Sequence, residues 1–235
     1  MEHFGKKPKN ITVAVHQIRS PIYVLREYIE ALLSEEPGQI NKKQRDYLEA
    51  SLENIEKTMS VINDFVEFLE MEEQEKELKK EKVDLVSLTK ESVENYRMLA
   101  RASNSRIIFD QPLEKIPPVL TDRKKIKYVI ENLLSNAIQY KEKEKEGKVE
   151  IEIKDEGEKV LFKIKDNGMG VKEEDKEEIF SRFHRTPEAI RISPTGVGIG
   201  LYISKLAVNL SGGDLWFENN KEERGTTFYF TLLKA

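Results

Sequence analysis

The 235-residue chain contains no cysteine. Disulfides and thiolate metal sites are therefore excluded, and nothing requires an oxidising compartment. It has only three histidines, His3, His16 and His184, too scattered for a zinc site. No apolar run approaches the ~20 residues of a membrane span, and no signal peptide is visible. The chain is accordingly read as cytoplasmic, with no membrane contact of its own. A sustained basic face is missing too: 39 Lys and Arg are interspersed with 43 Asp and Glu, for a net charge of -4. That balance argues against a nucleic-acid partner. Also absent are a Gly-x-x-x-x-Gly-Lys-Ser/Thr phosphate loop and the eukaryotic-type protein-kinase signatures.

What is present begins with two periodic stretches. Residues 9–34 carry Ile11, Val15, Ile18, Ile22, Leu25, Ile29 and Leu32. Residues 42–78 carry Leu48, Leu52, Ile55, Met59, Ile62, Val66 and Leu69. Both sets alternate steps of four and three, the spacing of a coiled-coil seam. Pro37-Gly38 marks the turn between them, and Asn41 is placed to cap the second helix. A lone hairpin covers such a seam poorly, and a dimeric four-helix bundle covers it well. On periodicity alone, a dimerisation hairpin without chemistry is the favoured reading.

Residues 1–8 read as a lead-in, 9–78 as the helical hairpin, 79–82 as a charge-dense linker and 83–235 as a second domain. In that domain, Ile126, Val129, Ile130, Leu133, Leu134 and Ala137 give 122–140 a helical stripe. Residues 149–153 and 160–164 alternate like paired strands around a turn at Gly157. A helix over 201–210 and strands at 215–218 and 226–232 complete a two-layer α+β sandwich.

Five short motifs carry the chemistry. His16-Gln17-Ile-Arg19-Ser20-Pro21 puts a histidine one turn before a mid-helix proline, which normally costs about 3 kcal/mol. Asn132-Leu-Leu-Ser-Asn136 sets two amides on one side of a helix. Asp166-Asn-Gly168-Met-Gly170 follows a strand; taken alone, it is equally well an ordinary turn. Gly196-Val-Gly198-Ile-Gly200-Leu201 opens a helix, a general anion-binding arrangement. Arg224-Gly225-Thr226-Thr227 precedes the last strand.

In that order, the last four motifs resemble the N, G1, G2 and G3 boxes of the GHKL (Bergerat) ATP-binding fold of histidine kinases, gyrase, Hsp90 and MutL. The first resembles the phosphoacceptor box of sensor histidine kinases. The resemblance implies a homodimer that binds ATP with Mg2+, phosphorylates His16 and passes the phosphoryl group to a response-regulator receiver domain. Arg19 and Pro21 match the acceptor box, whereas Gln17 stands where the family usually has an acid and Ser20 where it often has Thr or Asn. Asn136 would be the magnesium ligand, Asn132 a neighbouring active-site residue and Tyr140 a wall of the pocket. Gln139 occupies a usually basic position. Asp166, with Gly168 and Gly170, would read the adenine amino group. Phe180 and Phe183, at helical spacing, match the F box, although as bare sequence they read as core. The proline-containing segment 184–195 reads as a mobile lid, with Arg185 and Arg191 as phosphate contacts. Gly196, Gly198, Gly200 and Leu201 would cradle phosphates, and Thr227 belongs to the G3 box. Two alternatives stand beside this reading: a GHKL ATPase driving conformational change, and a pseudokinase scaffold, which Gln17 and Gln139 keep open.

Overall fold

A computed structural model describes residues 9–73, 78–142, 144–194, 196–221 and 223–235, with side chains starting at Gln17 in the first helix and ending at Met71 in the second. The chain forms two compact units whose boundary in sequence lies between Glu73 and Gln74.

The first unit is an antiparallel pair, α1 (Lys9–Leu33) and α2 (Lys42–Glu73). Pro21 lies inside α1 without ending it; having no N–H, it leaves the Gln17 carbonyl without its helical donor. Asn41 and Gln44 close a reciprocal cap at the start of α2. The Asn41 side chain accepts from the Gln44 N–H at 2.9 Å, and Gln44 accepts from the Asn41 N–H at 2.8 Å. Of the heptad positions, Ile22 and Ile29 are half-buried, as are Leu48, Leu52 and Ile55 facing them from α2. The alternate positions Ile18, Leu25 and Leu32 stay 52%, 53% and 40% exposed. Ile11 and Val15, also on the seam, have side chains outside the described residues.

The second unit runs β1 (Glu81–Val83), α3 (Leu85–Ala102), β2 (Ser105–Phe109), β3 (Val119–Thr121), α4 (Arg123–Gln139), β4 (Gly147–Glu156), β5 (Lys159–Asp166), α5 (Pro187–Ile192), α6 (Gly200–Leu210), β6 (Asp214–Asn219) and β7 (Thr226–Leu233). Five strands form one mixed sheet in the order β2-β4-β5-β7-β6, with only β2–β4 parallel. Alternation sorts its faces. Ile151, Ile153, Phe162, Ile164, Phe228 and Phe230 turn inward onto Ile126, Ile130, Leu133 and Leu134 of α4 and Ile203 of α6. Phe162 and Phe230 stack at 4.5 Å, and burying each contributes about 1.5–3 kcal/mol. The other face carries ion pairs such as Lys163–Glu152 and Lys165–Glu223, at 3.3 and 2.7 Å.

Two expectations change. The stretch 79–82, read as a linker, contributes β1, which pairs antiparallel with β3 in a separate two-stranded sheet. Three-residue strands have no periodicity to read, so neither was legible. The segment 184–195, read as a lid without packed structure, contains α5. Thr186 caps it by accepting from the Ala189 N–H at 3.1 Å, Pro187 opens it, and Ala189 is buried.

Candidate functional site

The site of the second unit grows from the end of α4. Asp122 starts this helix by accepting from the Lys124 and Lys125 N–H groups. Burial of its apolar stripe leaves Asn132, Asn136 and Tyr140, each one turn apart, half-buried along one side. Asn132 donates to the Ser204 hydroxyl at 2.9 Å, bracing α4 against α6. A Cβ on Gly200 would stand 2.5 Å from the Asn132 side-chain oxygen, so a larger residue there would displace the Asn132 side chain. The structure thus ties Asn132 to the α4–α6 brace. Asn136 is the second half-buried amide of the row, and Gln139 is exposed.

The Tyr140 carbonyl accepts from the Met169 N–H at 3.0 Å, which draws the Asp166–Gly170 loop onto the end of α4. A Cβ on Gly168 would lie 2.6 Å from that carbonyl oxygen; the side chain is missing because the backbone passes there. The Asp166 Oδ1 accepts from the Gly168 N–H at 2.8 Å and the Thr226 N–H at 3.2 Å. Burial pushes this carboxyl up to about 6, and the two backbone donors offset only part of that rise.

The raised value has a definite sign. Between its ordinary 3.8 and about 6, the folded chain holds a proton that the unfolded chain has released. Asp166 therefore favours folding less as pH rises through that window, and the cost of a buried anion is complete above it. For an amino-group donor the preference is opposite, because the ionised carboxylate is the stronger acceptor. If Asp166 reads an adenine amino group, as the resemblance implies, ATP affinity should fall as pH drops through about 6. In Asp166→Asn it should be weaker by roughly ten- to hundred-fold at neutral pH, without that acidic limb. Oδ1 is committed to two N–H donors, so an amide there keeps its oxygen towards them and turns its NH2 to the ligand. Calorimetry of both proteins between about pH 5 and about pH 7.5 checks this. Undiminished binding in Asp166→Asn would refute the assignment.

Other expected residues separate. Phe180 packs at 6.1 Å on Phe217 of β6, with the Lys205 ammonium over its ring. Phe183 is not core: it is 55% exposed at φ 60°. The segment forms turns where helical spacing pointed to a helix, because a non-glycine residue at positive φ interrupts the helix. Arg185 is turned to its own segment, donating to the carbonyls of Ala189 at 2.9 Å, Pro194 at 3.4 Å and Ser193. Carbonyls at the end of α5 lack helical donors, and a cation satisfies them. Arg191 pairs with Glu188 at 3.4 Å. Gly196 and Gly198 lie in the loop before α6, and Gly200 and Leu201 form its first turn. The Thr227 hydroxyl is buried and donates to Asn220 at 2.7 Å.

In the first unit, His16 lies on α1, but its side chain is outside the described residues. Gln17 and Ser20 are exposed. The Arg19 guanidinium donates to the Asn63 side-chain oxygen of α2 at 2.8 Å. Arg19 is thus held by a neutral amide, one helical turn from the histidine.

Two family models match separate segments of the chain. Residues 9–74 match the His Kinase A (phospho-acceptor) domain, and residues 121–235 match the histidine kinase-, DNA gyrase B- and HSP90-like ATPase family. The solved catalytic domain of the histidine kinase ThkA is 30% identical, with a TM-score of 0.56 over 67% of this chain and 97% of that one. The chain belongs to the sensor histidine kinases.

Among this family, the circadian input-output histidine kinase CikA of Synechococcus elongatus is 27% identical over 91% of this chain and 28% of its own length. Sensor histidine kinase WalK of Bacillus subtilis is 28% identical over 92% and 35%. The chain therefore spans about a third of the length of these curated kinases. Full-length ShkA, solved in complex with AMPPNP, is 22% identical and shares the fold, with a TM-score of 0.73 over 98% of this chain and 47% of that one. Among the described residues, no helix is long and apolar enough to cross a membrane.

Sequence reasoning missed the asparagines that hold the Asp166 loop. Asn167 donates to the Glu146 carbonyl at 3.0 Å and accepts from the Lys148 N–H at 2.7 Å. Asn219 both accepts from and donates to the Val171 backbone. Arg224 reaches the Met169 carbonyl and Glu142, each at 3.0 Å. Asn167 and Arg224 stand inside the quoted motifs without a role of their own there, and Asn219-Asn220 shows only a turn preference.

Proposed function

We propose that this chain is the kinase core of a two-component system: it binds Mg-ATP in the second unit, phosphorylates His16 and passes the phosphoryl group to an aspartate of a response-regulator receiver domain. The observation that carries this reading is Asp166, a carboxyl whose Oδ1 is saturated by Gly168 and Thr226 beside the asparagine-bearing end of α4. Its other oxygen suits an exocyclic purine amino group. Asn136 suits a magnesium ion, because an amide oxygen is a hard, neutral ligand. Among the described residues, no group of three or more His, Asp or Glu could hold a metal, so phosphates and water would complete that ion's shell. The bound ion would neutralise phosphate charge. The first turn of α6, at Gly200 and Leu201, would present N–H groups to the phosphates.

In the transfer, an imidazole nitrogen of His16 attacks the γ-phosphorus. The bond to the β-phosphate oxygen breaks, ADP leaves, and the imidazole loses a proton to solvent. The resulting phosphoramidate is the donor to the receiver aspartate. Two copies of the chain would pair through the hairpin. Incubation with γ-labelled ATP and magnesium, then with a receiver domain, tests the scheme. Label should appear as acid-labile, alkali-stable phosphate and then move to the receiver; a chain that takes no label would instead be a nucleotide-binding scaffold.

One observation favours that second reading: Gln17, exposed next to His16, cannot accept a proton. Gln17→Glu should therefore raise the autophosphorylation rate, by less than the ~10²–10⁴-fold typical of general-base help. Arg19, already held by Asn63, would not cancel the new charge. Single-turnover kinetics at saturating Mg-ATP measure this. An unchanged rate with intact ATP affinity would show that the missing carboxylate does not limit the reaction.

A further inference from the structure

The last register pair between β5 and β7 is Lys165 with Thr227. Asp166 thus lies just past the ladder, and its carbonyl needs a donor from elsewhere. Asn220, immediately after β6, supplies it: its Nδ2 donates to the Asp166 carbonyl at 2.7 Å. The same side chain accepts the Thr227 hydroxyl at 2.7 Å, and its backbone N–H donates to the Gly225 carbonyl at 3.1 Å. Asn220 is half-buried and anchored at three points. The Thr226 N–H, between Gly225 and Thr227, is one of the two donors to the Asp166 carboxylate. One asparagine therefore grips the Asp166 backbone and the strand start that holds its side chain.

We propose that Asn220 is a positioning residue that aims the free oxygen of Asp166, and so sets the preference of the pocket for a purine bearing a 6-amino group. The inference rests on the adenine reading of Asp166 and deepens it. A hydrogen bond to a carboxylate depends steeply on direction. Without Asn220, the Asp166 peptide can rotate, and the two N–H groups on Oδ1 no longer determine where the second oxygen points. Contacts to the phosphates and the purine faces do not pass through this carbonyl and should survive. Asn220 thus acts on selectivity more than on affinity as such.

The test measures the binding of ATP and of the analogue in which hydrogen replaces the 6-amino group, by calorimetry on the whole chain. In the parent protein, ATP should bind roughly ten- to hundred-fold more tightly. Asp166→Asn should bring the ratio close to one. Asn220→Ala, and Asn220→Asp, which keeps the acceptor for Thr227 but loses the donor to Asp166, should lower the ratio by about three-fold or more. Analogue affinity in both should stay within about two-fold of the parent, showing that the pocket is still formed. An unchanged ratio would overturn the proposal. So would an equal loss for both ligands, or failure of both variants to fold, since each marks a merely structural role. If Asp166→Asn keeps the parent ratio, the adenine reading itself fails, and the inference with it.

Discussion

His16→Gln is expected to take up no phosphate from labelled ATP, while binding the nucleotide as tightly as the parent. The expectation follows from the division of labour in the chain. Residues 9–74 match a phospho-acceptor domain and residues 121–235 an ATPase domain. The nucleotide contacts proposed above, Asp166, Asn136 and the start of α6, all belong to the second unit. Glutamine preserves a polar, helix-compatible side chain but offers no nucleophilic nitrogen, because its amide lone pair is delocalised into the carbonyl. His3 and His184, the only other histidines, lie outside the acceptor box. Parent label should vanish in acid and persist in alkali, the signature of a phosphorus–nitrogen bond. Label that survives in His16→Gln, or that resists acid, would contradict the histidine-kinase mechanism. Lost label accompanied by lost ATP binding would point to a folding defect, which calorimetry on the same sample separates.

Replacing Leu25 and Leu32 together by lysine is expected to convert a dimer into monomers without damaging the protomer. Within one chain α1 and α2 shield Ile22 and Ile29 only partly and leave Ile18, Leu25 and Leu32 largely exposed. An apolar stripe of this kind, continuous with a buried seam, needs a second surface. Burying each such side chain contributes about 1.5–3 kcal/mol, and three from each copy make a substantial association energy. Lysine at two of the positions would place four ammonium groups in the bundle of a dimer, each costing several kcal/mol when desolvated without a partner. Exposure in the protomer makes the substitution nearly neutral there, so ATP binding should stay within about two-fold of the parent. Sedimentation at micromolar concentration reads the outcome. A parent that sediments as one chain, or a double variant that remains a dimer, would sink the prediction.

How much of this was legible depended on how local each determinant is. The heptad steps from Ile18 to Leu32 and from Leu48 to Leu69, the Asn41 cap and the alternation around Gly157 are properties of neighbouring residues. Sequence alone was therefore enough for the hairpin and for the pairing of β4 with β5. The five motifs also determined the family, because their order constrains chemistry before any coordinates exist. Other features belong to segments distant in sequence. Asn132 reaches Ser204, Asn219 reaches Val171 and Asn220 reaches Asp166, across 72, 48 and 54 residues. No period or spacing announces such pairs, since each exists only once the fold has packed α6 against α4 and gathered β5, β6 and β7 into one sheet. The same holds for Arg185 and Phe183. Residue type alone does not show that Arg185 donates to the carbonyls at the end of α5, or that Phe183 lies exposed on a left-handed backbone. Sequence determined which chemistry the chain carries, through residue types in local order. Tertiary structure decided which groups hold Asp166 in place, because a buried carboxyl takes its partners from whatever strands the fold brings beside it.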